Sequence, residues 1–273
     1  MQSCAPLWLE QEKAADIGVA TQLSQTHMEA LRSLLHAGAV DVFCTKIDGR
    51  EKKLLLADMD STIVHGECID DLADFVGLRE KVADITARAM DGEIDFRTAL
   101  EERVGVLAGL GLDQVEDAVK EMQLNRGAKT LVATMSANGA KTVLVTGGFT
   151  EFARHAADLT GFHKFYANHL DRRGAVLSGK VEEPLVDKHR KLWVLQASCR
   201  EYGIDASDVL AIGDGANDLL MLEAAGLGIG YQPKDRLRAA LPNHIIHGDL
   251  SAALYAQGLT GERIRDLSSK MAA

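Results

Sequence analysis

Two short clusters of aspartates each follow an apolar run of the kind that forms a buried strand. The first cluster spans Asp58 to Thr62 after the run Leu54–Ala57, and the second spans Gly213 to Asp218 after the run Val209–Ile212. Carboxylates are hard oxygen ligands of the kind that Mg²⁺ prefers. A carboxylate can also attack phosphorus, provided that a metal ion neutralises the charge between the two anions. Together the clusters predict one magnesium-dependent phosphoryl-transfer site.

The candidate metal ligands are Asp58, Asp60 and Asp214, and the candidate nucleophile is Asp58, the first aspartate of the first cluster. An Asp-x-Asp sequence is also common in polar turns, where an Asp or Ser side chain caps a helix. The second cluster occupies an equivalent place after its own strand, and this favours the catalytic interpretation over the turn.

The elements that must position these clusters alternate between strand and helix. The predicted strands of the second half are Thr142–Val145, Phe165–His169, Val209–Ile212 and Leu227–Gly230. The predicted helices run over 127–138, from Thr150, over Lys188–Tyr202 and over Asn217–Ala225. Such alternation is typical of an α/β fold with a Rossmann-like, mostly parallel sheet and helices on both faces. Ligands bind beyond the carboxyl ends of strands in such sheets, where both clusters lie.

Between the first cluster and residue 127, successive apolar stripes have helical spacing. They are Ile69, Leu72, Ala73 and Val76; Val82, Ile85 and Ala89; Phe96, Leu100, Arg103 and Leu107; and Val115, Ala118, Val119 and Met122. These stripes predict a helical cap over 67–127, inserted into a core of 51–66 and 128–273. Residues 1–50 hold one helical pattern, Ser24–Ala37, and one predicted strand, Val40–Thr45, which is too little for an independent domain.

Composition narrows the class of partner. The chain has 273 residues, 47% of them apolar, and a net charge of −10 from 30 basic and 40 acidic residues. This balance, without a long basic run, argues against nucleic acid or an anionic membrane and favours a small diffusing substrate. The scattered cysteines, Cys4, Cys44, Cys68 and Cys199, and the lack of a signal peptide or membrane-spanning run predict a cytoplasmic protein.

A phosphate also needs donors and a cation besides the metal. Thr146, Gly147 and Gly148 follow a predicted strand and precede a helix, so a hydroxyl and backbone N–H groups could hold an anion there. Paired glycines also serve ordinary strand-to-helix turns. Lys188 and Lys191, early in a following helix, are the candidate cations, although most lysines are solvated surface residues.

In this order, Asp-x-Asp-Ser-Thr, Thr-Gly-Gly, a lone lysine and Gly-Asp-Gly-x-Asn-Asp resemble the motifs of the haloacid dehalogenase superfamily of phosphatases, and within it the branch that hydrolyses O-phospho-L-serine. The resemblance runs from Lys52 to Leu250 and includes the helical insertion. It implies that Asp58 becomes phosphorylated and binds Mg²⁺, and that Asp214 is a further ligand. It also implies that Asp60 protonates the departing serine oxygen and then deprotonates water, while its main-chain carbonyl ligates the metal.

The resemblance assigns further residues around the phosphate. Asn217 and Asp218 would orient the nucleophile and the metal waters. Thr146, with Gly147 and Gly148, would hold the phosphoryl oxygens together with the lysine. The family usually has serine at position 146, and threonine keeps the hydroxyl. The family's spacing matches Lys191 better than Lys188.

Substrate choice would fall to the cap. By resemblance, Glu67 would pair with the serine ammonium, Arg103 would grip the serine carboxylate in a two-pronged hydrogen bond, and Phe96 with Met90 would form an apolar lid. The residues alone leave other readings open: Glu67 as a first-turn helix acid, Arg103 as a surface ion-pair partner, and Phe96 and Met90 as core of the cap.

The leading hypothesis is hydrolysis of O-phospho-L-serine, the last step of serine biosynthesis. The alternatives are hydrolysis of another small phosphate ester or transfer of its phosphoryl group to an alcohol, and a catalytically silent ligand-binding protein. Relatives in the resembled family often carry a regulatory domain before the catalytic part, for which 1–50 is too short. That segment could pack on the core or mediate self-association as a homodimer, and the sequence leaves both open.

Overall fold

The computed structural model describes residues 5–21, 23–90 and 93–270, without the side chains of Gln25, His36 and Met90. The strands are β1 Leu7–Glu10, β2 Ala14–Asp16, β3 Leu54–Ala57, β4 Lys141–Phe149, β5 Lys164–Asn168, β6 Leu170–Arg173, β7 Val176–Val181, β8 Val209–Gly213, β9 Leu227–Tyr231 and β10 His244–Ile245. The helices are α1 Gln25–Leu35, α2 Cys68–Phe75, α3 Arg79–Met90, α4 Phe96–Val106, α5 Leu112–Glu121, α6 Ala128–Ala137, α7 Thr150–Thr160, α8 Lys188–Tyr202, α9 Leu219–Ala224, α10 Asp235–Ala240, α11 Ala252–Ala256 and α12 Gly261–Ser269.

The centre is a six-stranded sheet in the order β10-β9-β8-β3-β4-β5. All of its neighbouring strands are parallel. Successive residues of β3 point to opposite faces, so Leu55 packs in the apolar cluster that contains α6 and α7, and Leu56 in the cluster that contains α8 and α9. Both faces are therefore covered by helices, as strands buried on both sides require. The α/β prediction is confirmed.

Helices α2 to α5 lie where the apolar stripes predicted them. Backbone hydrogen bonds join the end of this helical region to the antiparallel hairpin of β6 and β7: Gly109 N–H donates to Leu177 O at 2.9 Å, and Leu177 N–H donates to Leu110 O at 2.8 Å. Strand β7 of the hairpin also packs against α4, so the hairpin is joined to the helical region by side chains as well as by these backbone bonds. The sequence reasoning missed this hairpin.

The predicted strand Val40–Thr45 is wrong, because this segment is an extended loop held by side chains and not by a strand partner. Cys44 N–H donates to the Asn243 side-chain oxygen at 2.8 Å, and the Asp41 carboxylate accepts from Gly248 N–H at 2.8 Å. These bonds fasten the loop to the residues on either side of β10.

The predicted turn after Val145 is also different, since β4 continues to Phe149 and includes Thr146, Gly147 and Gly148. Sequence reasoning further missed the hairpin β1–β2, the short strand β10 and the helices α10, α11 and α12. Their apolar patterns are too short to exceed the background of a single sequence. No helix of the described residues is long and apolar enough to cross a membrane.

Candidate active site

The two aspartate clusters meet at one edge of the sheet. Strands β3 and β8 are parallel neighbours with Ala57 opposite Ile212, and Asp58 N–H donates to Ile212 O at 2.9 Å. Asp58 and Gly213 are thus the next residues on adjacent strands. Because parallel strands have their carboxyl ends at the same edge of the sheet, the two clusters lie side by side.

Three buried carboxylates, those of Asp58, Asp214 and Asp218, each place an oxygen within 4.8 Å of the other two. Burial and the carboxylate of Asp218 raise the pKa of Asp58, against the ammonium of Lys191. Such crowding of anions favours a bound cation, and the donors are hard oxygens that fit a divalent metal. The cluster contains two of the predicted ligands, Asp58 and Asp214. The ligand predicted from Asp60 is its main-chain carbonyl, which this cluster of side-chain carboxylates does not include.

The Asp60 carboxylate lies outside that cluster and is held at both oxygens. Oδ1 accepts from Cys68 N–H at 3.0 Å, and Oδ2 accepts from the Thr146 hydroxyl at 3.1 Å. The turn that does this contains Ser61 in the left-handed region at φ 54°, which strains a residue other than glycine. Strain of this kind clusters at functional sites.

Lys191, and not Lys188, reaches the predicted nucleophile. Its ammonium is 2.6 Å from Asp58 Oδ1 and 2.6 Å from Asp218 Oδ1, and its side chain is 1% exposed. Burial opposes the charged form, but the carboxylates of Asp218 and Asp58 outweigh it and raise the pKa of Lys191. Lys188 is exposed on the first turn of α8. Of the two candidates, Lys191 is the one that contacts Asp58, and its role as the phosphate-binding cation stays a prediction.

The Thr146 to Gly148 segment runs past Asp60. Gly148 N–H donates to the Thr146 hydroxyl at 2.8 Å, and a Cβ added at Gly148 would lie 2.6 Å from Asp60 Oδ2. Only glycine leaves room for the carboxylate there. Buried Asn168, which sequence reasoning missed, donates from its amide to Gly147 O at 2.7 Å and fixes this segment. Its only sequence signal is its place at the end of a strand.

A cavity of about 140 Å³ brings most of the predicted residues of the core and the cap together. Its lining includes Asp58, Asp60, Glu67, Phe96, Arg103, Thr146, Gly147, Gly148, Asp214, Asn217 and Lys234. Lys191 and Lys188 line a second cavity, which shares Phe96, Gly147 and Asn217 with the first. Asp218 is fully buried and lines neither of these two cavities. The side chain of Met90 lies outside the described residues, so its role stays a prediction.

Glu67 and Arg103 lie on the cap side of the cavity. Glu67 precedes α2 without capping it by its side chain, and its Oε1 accepts from the Ser61 hydroxyl at 3.1 Å. Burial and the carboxylate of Asp60 raise the pKa of Glu67 to about 7. Arg103 donates from Nε to Ala99 O at 3.2 Å. Burial lowers the pKa of Arg103, against Asp70.

These surroundings bear on the alternatives for the cap residues. Among the described residues, Arg103 forms no ion pair, so a surface pair does not describe it. Phe96 is 43% exposed and lines both cavities, which does not fit a core residue of the cap. An acidic side chain and a guanidinium with free donors thus face one cavity, which suits a ligand that carries both an ammonium and a carboxylate.

Fold and site together are those of an α/β protein with a buried aspartate at the carboxyl end of a central parallel strand. Residues 52–226 match the haloacid dehalogenase-like hydrolases, and the chain belongs to that family. Its similar relatives are phosphoserine phosphatases. It is 37% identical over 219 residues to a probable phosphoserine phosphatase of Schizosaccharomyces pombe, covering 80% of this chain and 74% of that one. It is 40% identical over 203 residues to the phosphoserine phosphatase of Lactococcus lactis, covering 74% and 94%.

Solved structures agree. A haloacid dehalogenase family hydrolase from Salmonella enterica matches with a TM-score of 0.82 at 27% identity, over 88% of this chain and 81% of that one. A phospho-aspartyl intermediate analogue of phosphoserine phosphatase matches with a TM-score of 0.70 at 34% identity, over 75% and 98%. The family expected from the motifs is therefore confirmed.

Proposed function

We propose that the protein hydrolyses O-phospho-L-serine to L-serine and phosphate through a phosphorylated aspartate, as the last step of serine biosynthesis. The observation that carries the proposal is one cavity that holds a buried, lysine-paired aspartate beside an acidic and a basic side chain. Asp58 would be the nucleophile, and Glu67 and Arg103 would recognise the amino acid. The phosphoserine phosphatases among the relatives support this choice of substrate.

The cofactor that fits is Mg²⁺. We infer that Asp58 and Asp214 hold it with a main-chain carbonyl of Asp60, while Asp218, which also accepts from Gly215 N–H at 3.1 Å, orients the site from beneath. When bound, Mg²⁺ neutralises charge between the phosphate and the Asp58 carboxylate. The buried cluster of hard oxygen donors supports this inference.

In the first step, an oxygen of Asp58 attacks phosphorus, the bond from phosphorus to the serine oxygen breaks, and Asp60 gives its proton to that oxygen. In the second step, Asp60 takes a proton from water, which attacks phosphorus and releases phosphate and the free Asp58 carboxylate. Asp60 returns to its starting state. The hydrogen bonds from Cys68 and Thr146 hold both of its oxygens in place for these transfers.

Recognition would use three charges. Lys191, Thr146 and backbone N–H groups of Gly147 and Gly148 would hold the phosphoryl oxygens, together with Asn217. Glu67 would bind the ammonium and Arg103 the carboxylate. Phe96, with Met90, would cover the ligand, and the cap would open for substrate and close over it to exclude water.

Three further proposals concern the whole chain. The division is a core of 51–66 and 128–273, a helical cap of 67–127, and a segment of 1–50 that packs on the core. Contacts of that segment support the last part, since Glu10 on β1 pairs with Arg265 at 2.6 Å and the Asp41 carboxylate accepts from Gly248 N–H at 2.8 Å. Self-association as a homodimer and a cytoplasmic location stay predictions.

Phosphate release is the direct test. We expect the purified protein to hydrolyse O-phospho-L-serine in Mg²⁺, to prefer it by at least about tenfold over a sugar phosphate and an aryl phosphate, and to lose activity in EDTA. The preference follows from Glu67 and Arg103, which esters without an amino acid leave unpaired. Equal activity on all esters would favour the alternative of a phosphatase that acts on other small phosphate esters. No release of phosphate from any ester would refute the proposal that the protein is a phosphatase.

The amino-acid subsite should respond to pH. Because the pKa of Glu67 is raised to about 7, its anionic form is lost as pH falls below that value. We therefore expect kcat/KM for phosphoserine, divided by that for an aryl phosphate, to fall up to about tenfold per pH unit below 7. The division removes titrations that affect both substrates. Glu67→Gln should flatten this ratio, and a flat ratio in the unmodified protein would contradict the role of Glu67.

A further inference from the structure

Lys234 lies between two carboxylates of the site, although it belongs to none of the motifs. Its ammonium is 2.9 Å from Asp214 Oδ2 and 3.6 Å from Glu67 Oε1. The Lys234 side chain is 64% exposed and that of Asp214 is 7% exposed. The lysine therefore approaches the buried aspartate from the solvent side and joins a core strand end to the beginning of the cap.

The backbone of its loop fixes this position. Lys234 N–H donates to Asp214 O at 3.0 Å, so main chain and side chain both contact the same residue. Two residues earlier, Gln232 has φ 40°, in the left-handed region that favours glycine, and its N–H donates to Ile245 O at 2.7 Å. A strained conformation persists only where the surrounding structure determines it, and such residues cluster at functional sites.

The contacts use one oxygen of each carboxylate. Lys234 takes Asp214 Oδ2, which leaves Oδ1 for a metal ion. On Glu67, the ammonium and the Ser61 hydroxyl both use Oε1, which leaves Oε2 for a substrate ammonium. A carboxylate that is held at one oxygen has a fixed direction for the other. This is the usual way in which outer partners orient metal ligands.

The charge of the site also favours a cation at this position. The acidic groups of the cavity and its floor are Asp58, Asp60, Glu67, Asp214 and Asp218, and the cations are Lys191, Lys234 and Arg103. Lys191 is committed to Asp58 and Asp218. Within the described part of the chain, Lys234 is the cation that pairs with Asp214 and Glu67.

We propose that Lys234 is a positioning residue that aims Asp214 at the metal ion and Glu67 at the ammonium of the substrate. The metal and amino-acid subsites are then joined through one side chain. The inference rests on the proposed function for its substrate half, whereas its metal half concerns binding of Mg²⁺ alone.

The test compares Lys234→Met and Lys234→Arg with a matched control, Lys120→Met. Lys120 is 66% exposed on α5 and its ammonium is 2.7 Å from Asp117. The control variant therefore also loses an exposed ion pair, but one that does not line the cavity. Binding of Mg²⁺ without substrate is measured by titration calorimetry. At saturating Mg²⁺, kcat and KM are measured for phosphoserine and for an aryl phosphate, which has no ammonium.

For Lys234→Met we expect the Kd for Mg²⁺ to rise about tenfold or more, and KM to rise about tenfold more for phosphoserine than for the aryl phosphate. Lys234→Arg should keep most of the Mg²⁺ affinity and most of the preference in KM for phosphoserine. Lys120→Met should change neither quantity. A Kd for Mg²⁺ that stays within about twofold of the unmodified protein, or that decreases, overturns the proposal. An equal change in KM for both substrates also overturns it.

The failures are distinguishable. If the unmodified protein releases no phosphate from phosphoserine, the proposed function fails, whatever the variants do. If it does release phosphate and the variants bind Mg²⁺ as tightly as it does, the proposed function stands and the positioning role of Lys234 fails. Unfolding midpoints of the variants, compared with that of Lys120→Met, show whether a loss comes from unfolding.

Discussion

Asp58→Asn is expected to lower phosphate release from O-phospho-L-serine by about four orders of magnitude or more, because the amide has no oxygen that can attack phosphorus as a carboxylate does. The substitution nearly preserves shape. It also removes one of the crowded anions, while Lys191 keeps Asp218 as its partner at 2.6 Å. The variant should therefore remain folded, with an unfolding free energy no lower than that of the unmodified protein.

The measurement is the initial rate of phosphate release, with urea unfolding of the same preparation. Asp117→Asn, on the exposed face of α5, is the matched control and should retain full activity. Mass spectrometry of acid-quenched reactions should detect one phosphoryl group on the unmodified protein and none on Asp58→Asn. Activity within about tenfold of the unmodified protein would assign the nucleophile elsewhere.

Lys191→Met is expected to reduce both stability and activity. The ammonium is enclosed between Asp58 and Asp218, with side chains 1%, 4% and 0% exposed. Removing it leaves two buried carboxylates without their cation, and breaking a buried pair costs about 3–5 kcal/mol. That is a large part of the total stability of a domain. Loss of a cation beside the phosphate should lower kcat by about 10²–10³-fold in the fraction that remains folded.

Urea unfolding monitored by circular dichroism measures the stability change. The value of kcat is measured without urea, at a temperature well below the thermal unfolding midpoint. Lys188→Met is the natural comparison, since it lies one turn earlier on the same helix and is exposed. It should lose little stability and little activity. If Lys188→Met were the more damaging change, the assignment of the phosphate-binding lysine would be reversed.

Much of the site follows from local sequence. An apolar run that ends in aspartates predicts a buried strand with carboxylates at its end, and parallel strands place those ends together. This brought Asp58 and Asp214 to one edge without any knowledge of the structure. The apolar stripes that predicted α2 to α5 are likewise local, because helical spacing alone determines which face can be buried.

Contacts between distant segments had to come from the tertiary structure. Lys188 and Lys191 are both lysines near the start of one helix, so local sequence does not distinguish them. The packing of α8 against the sheet buries Lys191 between Asp58 and Asp218. Lys234 has no motif, and its role depends on how a loop after β9 folds back on Asp214. The extension of β4 to Phe149 and the non-strand conformation of Val40–Thr45 depend in the same way on which neighbours supply hydrogen bonds. Sequence patterns indicate which residues are apolar enough to be buried or carry a charge that needs a partner. Which residue becomes that partner depends on the tertiary structure, because the two are distant in sequence.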